Sequence, residues 1–509
     1  MKQNEWSRRK FLKAVAGGAA VTAAAACQSE VVKETVEVPV EKVVKETVEV
    51  PVEKVVKETV VQKETVVQKE TVVEQETVVE TVVETVVAEP EPVTISWWNQ
   101  FSPDTAESGT SRWDKIVQRF EDHYPNITVD YEVSGGPPGG GEYIEVLLAR
   151  IAAGDPPDTI TLWSPPLQFG IRGSLTEIDE YMNTARWAKT GRFFEGPLSS
   201  CQWQGKTYGL PDAPGVTSMF FNKPLFEERG MSTAREDFPT TWDDLKALSA
   251  EFVQWDGDEL VMAGFVPWAV GWDRPVWSGL NGGRIFDSTA AQYTLTSPEN
   301  IEWWEYMVSW LDDQYQGDIE LLNTFGPFGG GAPNGPFGQQ REAFDDGASW
   351  WIGLASFDFE FEIAEYPVGP SGSTSYTGWW PNWWAVPAGT SHPDEGFLLV
   401  EWFCTKGAEI NISEGAVSSP AWKDSDLSIV PLYVVDNYGL ERAQEIVAFF
   451  RQYIERGVPM WNSPIEDFAS NTMGQAADEI LHKTKPPQDA LAEAQDLCQA
   501  ELESVLAEG

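Results

Sequence analysis

From Val93 onward the chain alternates between two hydrophobic periods. Val93–Trp98, VTISWW, has the two-residue alternation of a strand, and Trp113, Ile116, Val117 and Phe120 then recur at helical spacing until Pro125 stops the run. Ile127, Val129, Tyr131 and Val133 alternate again; Ile144, Leu147, Leu148 and Ile151 predict a second helix closed by Gly154; TITLW at 159–163 predicts a third strand. This β-α-β-α-β order predicts a parallel sheet with right-handed crossovers. Further on, Thr240–Asp244 reads as a helix start with Thr241 and Asp244 in capping-box spacing, Asp394–Phe403 as a helix, and Trp383–Trp384 running into AVP as a strand. The stretch Gly205–Lys223, GKTYGLPDAPGVTSMFFNK, has no helical period and is broken by Pro-Gly. It reads as a crossover between two lobes.

Length and composition agree with two lobes: 509 residues at 42% hydrophobic content can bury more than one core. The whole chain carries a net charge of −45, and all of the excess acid lies outside the leader, since Met1–Ala26 carries Lys2, Arg8, Arg9, Lys10 and Lys13 against Glu5 alone. A surface this acidic repels phosphate backbones, which argues against a nucleic-acid partner. The 24 Trp exceed what core packing usually uses. Trp97, Trp113, Trp242 and Trp402 lie on amphipathic elements and are expected in the core, whereas rings beside Gly, Pro and Asn are candidates for a cleft, where a flat face stacks on ligand.

The first 92 residues are expected to hold no folded domain. Ser7-Arg8-Arg9-Lys10-Phe11-Leu12-Lys13 followed by a small, apolar run is a twin-arginine export leader over 1–26, too short for a permanent span. It ends at Ala24-Ala25-Ala26-Cys27, similar to a bacterial lipoprotein cleavage site, so Cys27 is expected to carry the lipid that holds the protein to the outer face of a membrane. Val31–Lys42, VVKETVEVPVEK, repeats at 43–54 and decays into KETVVQ and ETVV units. The drifting period keeps no single face, so 27–92 is expected to be a tether, with a self-associating stalk as the alternative. Extended, roughly 60 residues at about 3.3 Å each reach on the order of 200 Å.

In parallel α/β sheets ligands sit beyond the carboxyl ends of the strands, which selects Trp98, Asn99 and Gln100 after the first strand and Trp163 and Ser164 after the third. Asn and Gln offer paired donors and acceptors suited to hydroxyl groups. The glycine loop 135–141 lacks the Gly-Lys-Ser/Thr ending of a phosphate cradle. His123, His392 and His482 are not paired with any Ser or Cys motif, and no HExxH or CxxC occurs, so no catalytic, metal or cofactor site is expected. Beyond Cys27, three cysteines remain, Cys201, Cys404 and Cys498, enough for one bridge and too few for a disulfide framework. Trp379 and Trp380, between Gly378 and Pro381, fit no regular element and are the foremost aromatic candidates for a cleft.

VTISWWNQF, LLARIAAGDPPDTITLW, GKTYGLPDAP with MFFNKPLFEERGM, PTTWDDLKALSAEF, NGGRIFD, REAFDDGASWWIG, and the stretch from GWWPNWWAVPAG to ISEGAVSSP occur in family order. Together they resemble the extracellular solute-binding proteins of ABC importers, the group that includes maltose-binding protein. The resemblance implies an α/β, two-lobed periplasmic-binding-protein fold of type II, each lobe a mostly parallel sheet flanked by helices, with a hinge between them. It implies an N-lobe of 93–211 with a returning segment at 363–411, and a C-lobe of 212–362 with 412–509. It adds Asp212, Trp277, Trp351 and Trp461 to the ligand candidates, and implies a monomer that captures a carbohydrate, an oligosaccharide given the Trp excess, and delivers it to permease subunits. A glycoside hydrolase, whose two carboxylates would face each other across a cleft, and a tethered adhesion protein are the competing classes.

Overall fold

The computed structural model describes residues 90–99, 112–133, 141–268, 274–326, 335–354, 357–415, 417–457, 460 and 462–508. The export leader, Cys27 and the repeat lie outside them. In chain order the principal elements are β1 (Val93–Asn99), α1 (Arg112–His123), β2 (Ile127–Val133), α2 (Gly141–Ala153), β3 (Thr159–Leu162), α3 (Pro166–Gly170), β4 (Leu210–Pro211) and β5 (Thr217–Asn222). There follow α4 (Trp242–Phe252), α5 (Pro298–Gln314), β6 (Phe344–Ala348), β7 (Phe361–Ala364), β8 (Trp383–Ala385), α6 (Pro393–Phe403), α7 (Lys406–Glu414), α8 (Leu440–Arg451), α9 (Glu466–Leu481) and α10 (Pro487–Glu508).

The first sheet has the order β2-β1-β3-β8-β4. β1 runs parallel to β2 and β3, as the β-α-β-α-β pattern predicts, while β8 pairs antiparallel with both β3 and β4. The expected faces are the buried ones: α1 turns Trp113, Ile116, Val117 and Phe120 inward. They meet Trp97 of β1, whose ring lies 6.1 Å from Trp113, 5.1 Å from Trp384 and 4.6 Å from Phe403.

The second sheet has the order β6-β5-β7, and both outer strands run antiparallel to β5. Among the described residues this half therefore lacks the mostly parallel sheet expected of each lobe. The direction rule binds consecutive strands joined by a single helical crossover; several helices intervene between β5 and β6, so direction is left to packing. β5 is buried along its whole length. Phe221 on one face packs on Phe226 and Phe238, and Phe220 on the other packs on Trp351, Phe361 and Phe450.

The sheets are joined where the sequence places a crossover, but the crossing is narrower than Gly205–Lys223. Leu210–Pro211 still belongs to the first sheet and Thr217 already to the second, so Asp212–Val216 makes the passage. Ile363 lies in β7 of the second sheet, and the chain regains the first sheet at β8. A third segment runs beside these two: Ser419 N–H donates to Pro214 O at 2.9 Å and Ala421 N–H to Asp212 O at 3.0 Å. Three strands of chain thus cross together. Cys201, Cys404 and Cys498 are buried free thiols.

Candidate functional site

Around the crossings the side chains form a dense polar and aromatic set. Asp212 is buried; its Oδ1 accepts from Asn382 N–H at 3.0 Å, and its Oδ2 from Asn382 Nδ2 at 3.3 Å and Trp384 Nε1 at 3.4 Å. Burial pushes its carboxyl up to about 6, against those hydrogen bonds, which favour the charged form. Trp380 bridges to Gly215 through the backbone and meets Trp350 edge to face at 6.1 Å. Trp379 is buried, and its indole passes so close to Gly457 that a Cβ there would fall 1.7 Å from Nε1. Only glycine admits the ring at that point.

A second cluster lies at the carboxyl end of β3. Trp163 is 49% exposed. The adjacent Ser164 is buried, and its Oγ donates to Asp467 of α9 at 3.1 Å. Gln168 of α3 donates through Nε2 to the same carboxylate at 2.9 Å, and Arg172 donates to Pro464 O at 3.0 Å and also to Gln168 O. Phe468, next to Asp467, is 40% exposed, so two open aromatic rings flank the polar bridge in sequence. Burial raises the Asp467 carboxyl, with Gln168, Ser164 and Arg172 opposing. Alongside, Trp203 stacks on Phe286 with centroids 6.4 Å apart and planes at 23°. The arrangement offers hydroxyl, amide and carboxylate groups next to aromatic faces, a chemistry that suits a polyhydroxylated ligand.

The remaining candidates are dispersed. Trp98 and Asn99 end β1 and are buried, the Trp98 ring lying 4.9 Å from Tyr143 and 5.3 Å from the Arg150 guanidinium. Trp277 is buried in the second half, donating from Nε1 to Asp346 Oδ2 at 3.0 Å, with its ring 5.5 Å from Trp242. Trp351 packs 5.7 Å from Phe220. Gln100 and Trp461 fall outside the described residues. Gln168, Arg172 and Asp467 were not singled out in the sequence. Their one local sign is that Pro166 and the Glu466-Asp467 pair mark helix first turns. Among the described residues no group of three or more His, Cys, Asp or Glu is placed to hold a metal ion, and no helix is long and apolar enough to cross a membrane.

A family model for bacterial extracellular solute-binding proteins matches residues 103–410, more than half of the chain. The chain belongs to that family. A binding protein of Brucella abortus is 33% identical over 149 residues, 29% of this chain and 33% of the relative, so the chain spans about a third of that relative's length. An ABC transporter extracellular-binding protein of Pyrococcus horikoshii is 22% identical over 331 residues, 61% of this chain and 69% of the relative. Among solved structures, mannotriose-bound CpMnBP1 superposes with a TM-score of 0.63 at 20% identity, covering 80% of this chain and 100% of that one. This family member therefore has the two-lobed α/β fold of the type II binding proteins, with a hinge region between the lobes.

Proposed function

We propose that the protein captures a carbohydrate, an oligosaccharide by the chemistry of the site, between its two lobes and presents it to an ABC permease. The observation that carries this reading is the family match over 103–410 in a chain whose five-stranded and three-stranded sheets are joined by three adjacent crossings. A hinge there lets ligand bridge both halves and stabilise the closed form through contacts the open form lacks. The sugar class is supported by CpMnBP1 with mannotriose and by the open rings of Trp163 and Phe468 beside Ser164 and Asp467. Gln100, Trp380 and Trp461 extend the proposed ligand set, while Trp98, Asn99, Asp212, Trp277, Trp351 and Trp379 are proposed to shape it from buried positions. The lobes take the limits expected from the sequence, with the return to the first lobe moved from 363 to the passage before β8. No catalytic step enters this reading.

The reading includes delivery. The twin-arginine leader with Arg8 and Arg9 exports the folded chain, Cys27 carries the lipid, and residues 27–92 tether a monomeric binding domain to the outer face of the cytoplasmic membrane. Thermal unfolding with a saccharide panel tests the ligand class: a saccharide at a hundred times its Kd should add about 2.7 kcal/mol of stability. A transition moved by a peptide or polyamine and by no saccharide would refute it. Cleavage of a glycoside, abolished by one carboxylate substitution, would replace it with an enzyme.

A further inference from the structure

The contacts between α9 and the end of β3 join residues about 300 positions apart in sequence. On one side stand Ser164, Gln168 and Arg172, on elements continuous with the first sheet; on the other stand Pro464, just before α9, and Asp467, in the first turn of α9, which packs with α10 and α5 in the second half. This seam is separate in sequence from the three crossings. Both oxygens of the Asp467 carboxylate accept from Ser164 and one also accepts from Gln168.

We propose that Asp467 is a ligand-independent latch, closing the two lobes by accepting from Ser164 and Gln168 until a ligand takes over those donors. Three features of the seam support the role. A carboxylate accepting from neutral donors makes a charge-assisted bond stronger than a neutral pair. Arg172, anchored on Pro464 O, holds the entry to α9 in register with α3. The Trp203–Phe286 stack adds an apolar contact beside the polar one. Ser164 belongs to the proposed ligand set, so the latch rests on that reading of the site, but closure in the absence of ligand can be measured without it.

The test is small-angle X-ray scattering of the ligand-free full chain, in which the tether is common to every variant. Asp467→Ala should shift the pair-distance distribution of the folded domain outward, because losing hydrogen bonds to a charged group lowers the closed-to-open ratio by about tenfold or more. Gln168→Glu, which sets one carboxylate against another, should do the same. Gln168→Glu combined with Asp467→Asn restores a donor facing an acceptor and should return the distribution to that of the native chain. A merely structural contact would lower Tm and leave all four scattering profiles alike, and that result overturns the latch. So does an opened double variant. If Asp467→Ala does not fold, the Gln168→Glu single and double variants decide the matter. Failure of every saccharide to bind, with the scattering shifts present, would sink the carbohydrate reading and leave the latch standing.

Discussion

Trp384 lies face to face on Phe403, ring centroids 3.8 Å apart and planes 8° from parallel, while its Nε1 donates to Asp212. One residue therefore couples the core of the first lobe to the first crossing. Trp384→Ala should destabilise by about 3–5 kcal/mol in chemical denaturation, through lost burial and the cavity left behind. Asp212→Ala should cost about 1–3 kcal/mol, since Asn382 and Trp384 donors would be left buried without their acceptor. Asp212→Asn should cost less, because Oδ1 can still accept from Asn382 N–H. The order Ala above Asn distinguishes a hydrogen-bonding anchor from a group that is simply packed. At this scale the sequence was informative about type and poor about surroundings: Trp97, Trp113, Trp242 and Trp402 are buried as their periods imply. Trp379, without any period, is buried too, because Gly457 opens room for it in the tertiary packing.

Among the elements, α4 gives the clearest relation between sequence and geometry. Thr241 caps it: Oγ1 accepts from Asp244 N–H at 3.2 Å and donates to Asp244 Oδ2 at 2.7 Å. The shorter acid at the place where a capping box has Glu turns its carboxylate to the Thr hydroxyl, so the spacing survives with a different bond. Thr241→Ala should cost about 1 kcal/mol, read as a fall in the denaturation midpoint at unchanged m-value. The strands β1 to β3 and the helices α1 and α2 were readable because each keeps one period over several turns or residues. The seam between α3 and α9 was not, because it depends on two short helix starts brought together by the fold.

For the whole molecule, buried acids set the response to pH. Burial and the charge of Asp346 push Asp345 up to about 8, and burial pushes Glu466 up to about 8 and Asp212 to about 6. Their unfolded values lie near 4. Between those limits the folded chain holds protons the unfolded chain has released, so stability rises as pH falls from above 8 towards about 5. Glu362 acts oppositely: although burial pushes it up, Ile363 N–H, Arg235 and Arg442 hold it below its usual value, so its contribution is lost only as pH falls through that lowered range. Tm should therefore be higher at pH 5 than at pH 8, and Asp345→Asn or Glu466→Gln should flatten the profile.

Local pattern, composition and motif order were enough to establish the α/β class, the family resemblance and the place of the first crossover. Hydrophobic period and Pro-Gly breaks act over a few residues and leave a mark wherever they occur. The antiparallel second sheet, the three crossings lying side by side, and the pairing of Asp467 with Ser164 and Gln168 came from folding alone. Each of these joins groups that no local rule connects, and packing of the remaining chain sets their approach.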